Sequence, residues 1–226
     1  MRRPVRSFVL RGGRLTDAQK RALDELWPRY GLQIGDGPLD FSVLFGNAHP
    51  VILEIGFGNG DATWRMALAN PDENYVGVEV HRPGVGHLLL QLEEHAIPNV
   101  RVACEDAVEF LDVCVRPASL DGVRLYFPDP WPKKRHHKRR IVQPGFISSL
   151  AQKIAPGGLL HMATDWAPYA VHMLNVMAAS ADFTNVADSG EYCPRPEWRP
   201  MTKYEKRGER LGHEVYDLLF LRNSKT

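Results

Sequence analysis

The chain has 226 residues, 44% hydrophobic and 24% charged, enough to bury one sizeable core and to form one large or two small domains. Its 28 Lys plus Arg against 27 Asp plus Glu leave a formal charge of +1, so any nucleic-acid-binding surface must be local. Cys104, Cys114 and Cys193 are too scattered for a disulfide framework or a Cys-x-x-Cys metal site, no apolar run reaches the roughly 18 to 20 residues of a membrane span, and Met1 to Arg14 lacks the apolar segment of a signal peptide. A cytoplasmic protein is expected, with no membrane partner.

Basic residues cluster at the N-terminus (Arg2, Arg3, Arg6, Arg11, Arg14) and again from Lys133 to Arg140. Thr16-Asp17-Ala18-Gln19 has the pattern of a helix capping box and predicts a short helix to about Trp27, ended by Pro28 and Gly31. Gly35 to Pro38 reads as loop. Residues 1–45 are therefore expected to be an appended basic segment with a helix, and residues 46–226 the main domain.

From Pro50 short apolar runs alternate with helical patterns. Strands are predicted at Val51 to Ile55, Tyr75 to Glu79, Val100 to Cys104, Val123 to Phe127 and Leu159 to Thr164. Helices are predicted at Asp61 to Ala69, through the stripe Val85, Leu88, Leu89 and Leu92, at Ala107 to Leu111, and from Pro144 to a stop at Pro156-Gly157-Gly158. A helix from about Trp166 to Ser180 and two late strands, Phe183 to Ala187 and Glu214 to Leu221, complete the pattern. Strands alternating with helices imply an α/β fold with a parallel sheet covered on both faces.

Gly56, Gly58 and Gly60 stand at alternate positions between the first of these strands and its helix, where glycine lets a ligand approach the backbone. A dinucleotide fingerprint would need Gly-x-Gly-x-x-Gly, but its last glycine position holds Asp61, which argues against a pyrophosphate-binding dehydrogenase. S-adenosylmethionine is the alternative ligand. Glu79 closes the next strand, where a carboxylate suits ribose hydroxyls; Asp106 follows the third, near an adenine amino group; Glu54 precedes the glycines and faces a cationic methionine portion. Each acid alone reads as solvated, but such features at successive strand ends of one sheet are much less frequent by chance, because ligands bind at that edge.

Asp129 ends the fourth predicted strand between Pro128 and Pro130, which restrict the backbone on both sides, and Trp131 offers a base-stacking ring. A plain Pro-Asp-Pro turn is the simpler alternative. Lys133 to Arg140 follow directly and suit phosphates. His136 and His137 are adjacent and lack metal-ligand spacing, so no metal is expected.

Taken together, Leu53-Glu54-Ile55-Gly56-Phe57-Gly58-Asn59-Gly60, Val78-Glu79, Glu105-Asp106, Pro128-Asp129-Pro130-Trp131-Pro132-Lys133-Lys134-Arg135-His136, Thr164-Asp165-Trp166 and Arg199-Pro200-Met201-Thr202-Lys203-Tyr204-Glu205 resemble the bacterial tRNA (guanine-N7-)-methyltransferase family over nearly the whole chain. The resemblance implies a Rossmann-like class I methyltransferase with a mostly parallel seven-stranded sheet, an antiparallel C-terminal strand and helices on both faces. It implies cofactor contacts from Glu54, Glu79, Asp106 and Asp129, with Asp129 also catalytic. It further implies substrate contacts from Lys133, Asp165, Thr202, Lys203, Tyr204 and Glu205, and RNA contacts from Arg135, His136, His137, Lys138, Arg139 and Arg140. The expected partner is tRNA, methylated at its variable-loop guanosine, and the expected state is monomer or homodimer.

Guanine N7 carries a lone pair and no proton, so such a reaction needs no general base to create its nucleophile. Asp129 is accordingly expected to orient groups and stabilise charge, with Asp165 or Glu205 sharing the guanine N1 and N2 donors.

Overall fold

The structure, a computed structural model, describes residues 7–8, 13–201, 205 and 214–224. Of the N-terminal arginines, Arg2, Arg3, Arg6 and Arg11 lie outside the described residues. The strands are β1 (Gly31–Leu32), β2 (Val51–Ile55), β3 (Asn74–Val78), β4 (Val100–Ala103), β5 (Leu120–Tyr126), β6 (Ile154–Thr164), β7 (Phe183–Asn185) and β8 (Tyr216–Arg222). The helices are α1 (Asp17–Glu25), α2 (Trp27–Tyr30), α3 (Phe41–Phe45), α4 (Asp61–Ala69), α5 (Arg82–Glu94), α6 (Ala107–Cys114), α7 (Pro144–Lys153) and α8 (Ala167–Ala178).

The strands form one sheet in the order β1-β4-β3-β2-β5-β6-β8-β7. Every neighbouring pair from β1 to β6 is parallel, and β8 runs antiparallel to both β6 and β7. The chain leaves β2 toward β3 and β4 on one side, then crosses back to β5 and β6 on the other. The carboxyl end of β2 is thus the topological switch point, where open α/β sheets bind ligands.

All five residues of β2 are buried, which marks it as central. Their alternation divides two cores. Val51, Leu53 and Ile55 pack with Phe110, Leu150 and Met173, while Ile52 packs with Met66, Leu88 and Leu92 on the opposite face. Leu53 is fully buried, and truncating it to Ala would cost about 2–5 kcal/mol.

The capping box forms as expected: the Gln19 N–H donates to Thr16 Oγ1 at 3.2 Å, and the Thr16 N–H donates to Gln19 Oε1 at 2.9 Å. Three elements escaped the sequence pattern. Pro28 does not end the first helix: α1 stops at Glu25, and Pro28 stands in the first turn of α2, where its missing N–H is no loss. Among the described residues the sheet has eight strands rather than seven, because Gly31–Leu32 adds an edge strand to β4, a two-residue piece too short to show alternation. Helix α3 is a single turn started by Asp40, whose Oδ1 accepts the N–H groups of Ser42 and Val43. Strand β6 also begins earlier than expected: Ile154 pairs with Leu120 and Leu159 with Gly122, so the Pro-Gly-Gly stretch leaves the ladder within the strand.

Candidate functional site

Beyond Ile55 the chain turns sharply through Gly56 (φ 72°) and Gly58 (φ 61°), conformations that glycine adopts without strain. A side chain at either would meet nothing within 4 Å, so the space above the turn is open. From below, α5 packs so closely that a Cβ on Gly84 would lie 1.9 Å from the Gly58 carbonyl oxygen.

Glu79, one residue past β3, ties the two strand ends together. Its Oε2 accepts the Gly58 N–H at 2.8 Å, and its Oε1 accepts the N–H groups of Val80 at 2.7 Å and His81 at 3.0 Å. A carboxylate offers about four acceptor positions, so one remains for a ligand hydroxyl. Gly56, Glu79, Glu105, Tyr126 and Asp129 line one cleft of about 230 Å³ at the switch point. Its apolar walls include Ile55, Val78 and Leu125. An open glycine turn, a carboxylate with a spare acceptor and apolar walls fit a nucleoside with a charged tail.

Asp106 caps α6, its Oδ1 accepting the Val108 N–H at 2.8 Å, and lies on a neighbouring groove with Lys138 and Arg139. Glu105 takes the place on the cleft. Glu54 is 2% exposed and accepts a hydrogen bond from the Thr63 hydroxyl at 2.7 Å. Burial pushes its carboxyl up to about 7, against the lowering effects of that bond and of Arg124.

Strand β5 ends at Tyr126, and the Phe127 N–H donates to the Ala163 carbonyl at 2.8 Å. The Pro-Asp-Pro turn is flanked by two non-glycine residues at positive φ, Phe127 at 50° and Trp131 at 45°. Such backbone is unfavourable and persists only where surroundings hold it. Trp131 donates its indole N–H to the Ser7 carbonyl at 3.0 Å, and Arg139 lies over its ring and donates to the Phe8 carbonyl. Arg140 donates from Nε to the Pro130 carbonyl at 2.9 Å and covers the Tyr169 ring. Asp129 is left exposed on the cleft rim, and among the described residues its carboxylate accepts no hydrogen bond.

The basic run forms a 3-10 helix, Lys134–Arg139. Lys133, Lys134, Arg135 and Lys138 are exposed, and His136 and His137 are half-buried. Desolvation and the surrounding cations, Arg135 first, push the His136 imidazole down. Arg140 is 3% exposed, which corrects the expectation that it meets RNA: its guanidinium is committed to the loop it supports. Trp131, expected as a stacking ring, has Arg139 on one face.

Asp165 is exposed just beyond β6. Thr202, Lys203 and Tyr204 lie outside the described residues. Glu205 is buried, not solvated, with Arg199 Nη1 2.6 Å from its Oε1. Arg199 also grips Asp217 on β8 through Nε at 2.7 Å and Nη2 at 2.9 Å. His161 Nε2 lies 2.7 Å from Asp217 Oδ1, and its Nδ1 lies 3.0 Å from the Tyr126 hydroxyl. Burial raises the Asp217 carboxyl, but bonds to His161 and Arg199 outweigh it and leave it lowered. Burial lowers His161, so the pair is a neutral imidazole donating to a carboxylate.

Sequence reasoning missed this connected set. Its one available signal was Asp217, a charge at the head of the apolar run Leu218 to Leu221 of the last strand. Among the described residues no group of three or more His, Cys, Asp or Glu is placed to hold a metal ion, and no helix is long and apolar enough to cross a membrane.

A family model described as "Putative methyltransferase" matches residues 48–218. A tRNA (guanine-N(7)-)-methyltransferase of Alcanivorax borkumensis is 56% identical over 218 residues, covering 96% of this chain and 91% of that protein. One of the same name from Pseudomonas aeruginosa is 56% identical over 220 residues, covering 97% of this chain and 90% of that protein. Among solved structures, the 16S rRNA methyltransferase KamB superposes with a TM-score of 0.61 at 16% identity, over 81% of this chain and 93% of its own. At that identity the likeness is one of fold.

Proposed function

The chain belongs to the tRNA (guanine-N7-)-methyltransferase family, and from that membership we propose how its residues divide the work of the reaction. The enzyme transfers a methyl group from S-adenosylmethionine to N7 of a guanosine in tRNA. We further propose that the variable-loop guanosine at position 46 is its target and the cytoplasm its place of action.

Gly56, Gly58 and Gly60 form the turn that receives the cofactor, Glu79 accepts from its ribose, and the Glu105-Asp106 pair stands toward its base, with Glu105 on the cleft and Asp106 capping α6 beside it. Glu54 supports the turn from beneath. The bound sulfonium supplies an electrophilic methyl group. No residue has to remove a proton from N7, so catalysis rests on position and charge. Asp129, with both oxygens available at the rim, orients the reacting groups and favours the positive charge that develops on the purine.

Lys133, Asp165, Glu205 and the segment Thr202 to Tyr204 receive the guanosine, with carboxylates suited to its N1 and N2 donors. The exposed side chains of Lys133, Lys134, Arg135 and Lys138, with His136 and His137 beside them, meet the RNA backbone. Arg139 reaches RNA only at the edge of its stack on Trp131.

The observation that carries this reading is the convergence of the glycine turn, Glu79 and Asp129 on one cleft beside an exposed basic turn. The test is transfer of labelled methyl to an unmodified tRNA transcript, followed by mapping of the modified base. N7-methylguanosine in the variable loop is expected. Binding of tRNA without transfer would identify a silent RNA-binding homologue instead, and methylation of another base would overturn the target.

A further inference from the structure

Arginine is almost never fully buried unless paired, and Arg199 is 1% exposed. Its pairing is unusually complete. One edge of the guanidinium makes the two-bond fork with Asp217 on β8, and the remaining Nη1 takes Glu205. Such forks fix geometry as well as charge, because the planar group permits one relative placement of its partners.

The set extends across the sheet. Tyr126 pairs in register with Ala163, and Ala163 with Asp217, so β5, β6 and β8 present these three residues in one row at the carboxyl edge. His161 lies two residues before Ala163, on the same face, and bridges Asp217 to the Tyr126 hydroxyl. With Asp217 able only to accept, Nε2 carries the imidazole proton and Nδ1 accepts from Tyr126. The guanidinium carbon of Arg199 also lies 5.8 Å from the Tyr126 ring centroid and 5.7 Å from that of Phe127. Phe127 is the residue at positive φ where the Pro-Asp-Pro turn begins.

One buried cation therefore joins Glu205 to the end of β5, from which the turn to Asp129 departs. We propose that Arg199 is a positioning residue for methyl transfer, which acts through Glu205 on the guanosine side and through Asp217, His161 and Tyr126 on the Phe127–Asp129 turn. This rests on the functional reading above, since it names what keeps the two halves of that site in register. Stability alone is a weak reason for such a set, because buried ion pairs contribute little net stability compared with apolar side chains of the same volume. Register is a strong one, because displacement of about 1 Å in a reacting geometry costs on the order of 100-fold in rate.

The experiment compares full-length wild type with Arg199→Lys and Tyr126→Phe, using a tRNA transcript as substrate and S-adenosylhomocysteine as the cofactor probe. Arg199→Lys keeps the charge and loses the fork; Tyr126→Phe removes only the hydroxyl at the far end. For Arg199→Lys the single-turnover rate should fall by about 10- to 100-fold, while affinities for tRNA and S-adenosylhomocysteine stay within about 3-fold. Tyr126→Phe should lower the rate by about 3- to 10-fold with an unchanged thermal midpoint, and the double variant should be no slower than Arg199→Lys alone. If Arg199→Lys does not fold, the Tyr126→Phe rate decides. Rates within about 2-fold of wild type, or a loss confined to thermal stability or to cofactor affinity, overturn the proposal while leaving the enzyme's activity intact. A wild type that transfers no methyl overturns the functional reading itself, and this proposal with it.

Discussion

The guanidinium carbon of Arg139 lies 4.0 Å from the centroid of the Trp131 ring, so a member of the basic run folds back over the loop that carries Asp129. Arg140 does the same through Pro130 and Tyr169. The run is therefore two sets of cations with different work. Arg139 and Arg140 hold a backbone with two positive-φ residues in place, and Lys133, Lys134, Arg135 and Lys138 remain exposed.

That division predicts a salt dependence. Four exposed cations neutralising four phosphates should give a slope of log affinity against log salt between about −2.8 and −3.6, at ~0.7 to ~0.9 per contact. Filter binding across a potassium chloride series measures it. Lys138→Ala should flatten the slope by about one contact. Arg140→Ala should leave the slope unchanged but lower thermal stability by about 1–3 kcal/mol, having stripped the Pro130 carbonyl of its buried donor. If the two variants exchange these effects, the division is wrong.

Glu54 predicts a pH dependence of folding. Its folded pKa, about 7, is raised above the ordinary 4.5, so between those values the folded protein holds a proton that the unfolded chain has released. The stability this proton contributes is fully present below about pH 4.5 and is lost as pH rises through about 7, a change of roughly 3 kcal/mol at 1.36 kcal/mol per unit. Urea unfolding of the cofactor-free protein at pH 5 and pH 8 should show that Glu54→Gln gains on wild type at the higher pH. An equal difference at both pH values would mean that Glu54 is charged throughout.

Gly84 predicts a steric effect on the cofactor turn. Gly84→Ala places a methyl 1.9 Å from the Gly58 carbonyl oxygen, a contact that only backbone movement relieves. It should cost about 1–3 kcal/mol and weaken S-adenosylhomocysteine binding in calorimetry. Gly145→Ala, in α7 with nothing within 4 Å of its added methyl, serves as the control and should be neutral or stabilising by up to about 1 kcal/mol without altering affinity. Equal affinities in both variants would separate the packing of Gly84 from cofactor binding.

The parts of this molecule that sequence exposes are those with local signatures. The apolar run Val51 to Ile55, the stripe through Leu88 and Leu92, and the capping box at Thr16 each occupy a single element, and each forms. Gly56, Glu79 and Asp129 could be grouped from the sequence because each follows a strand of one parallel sheet, and in the structure they line one cleft. The set Arg199, Asp217, His161 and Tyr126 could not be, since its members come from three strands and the connection between β7 and β8 and meet only after the sheet has formed. The same limit applies to Arg139, Arg140 and Glu205: composition marks a charge, but only packing decides whether it faces water or a buried partner.

The role of Asp129 stands at the centre. Asp129→Asn keeps the side chain's shape and removes its charge, so single-turnover methyl transfer to tRNA separates chemistry from binding. The rate should fall on the order of 100-fold, with affinities for tRNA and S-adenosylhomocysteine within about 3-fold of wild type. A near-normal transfer rate accompanied only by weaker binding would contradict it.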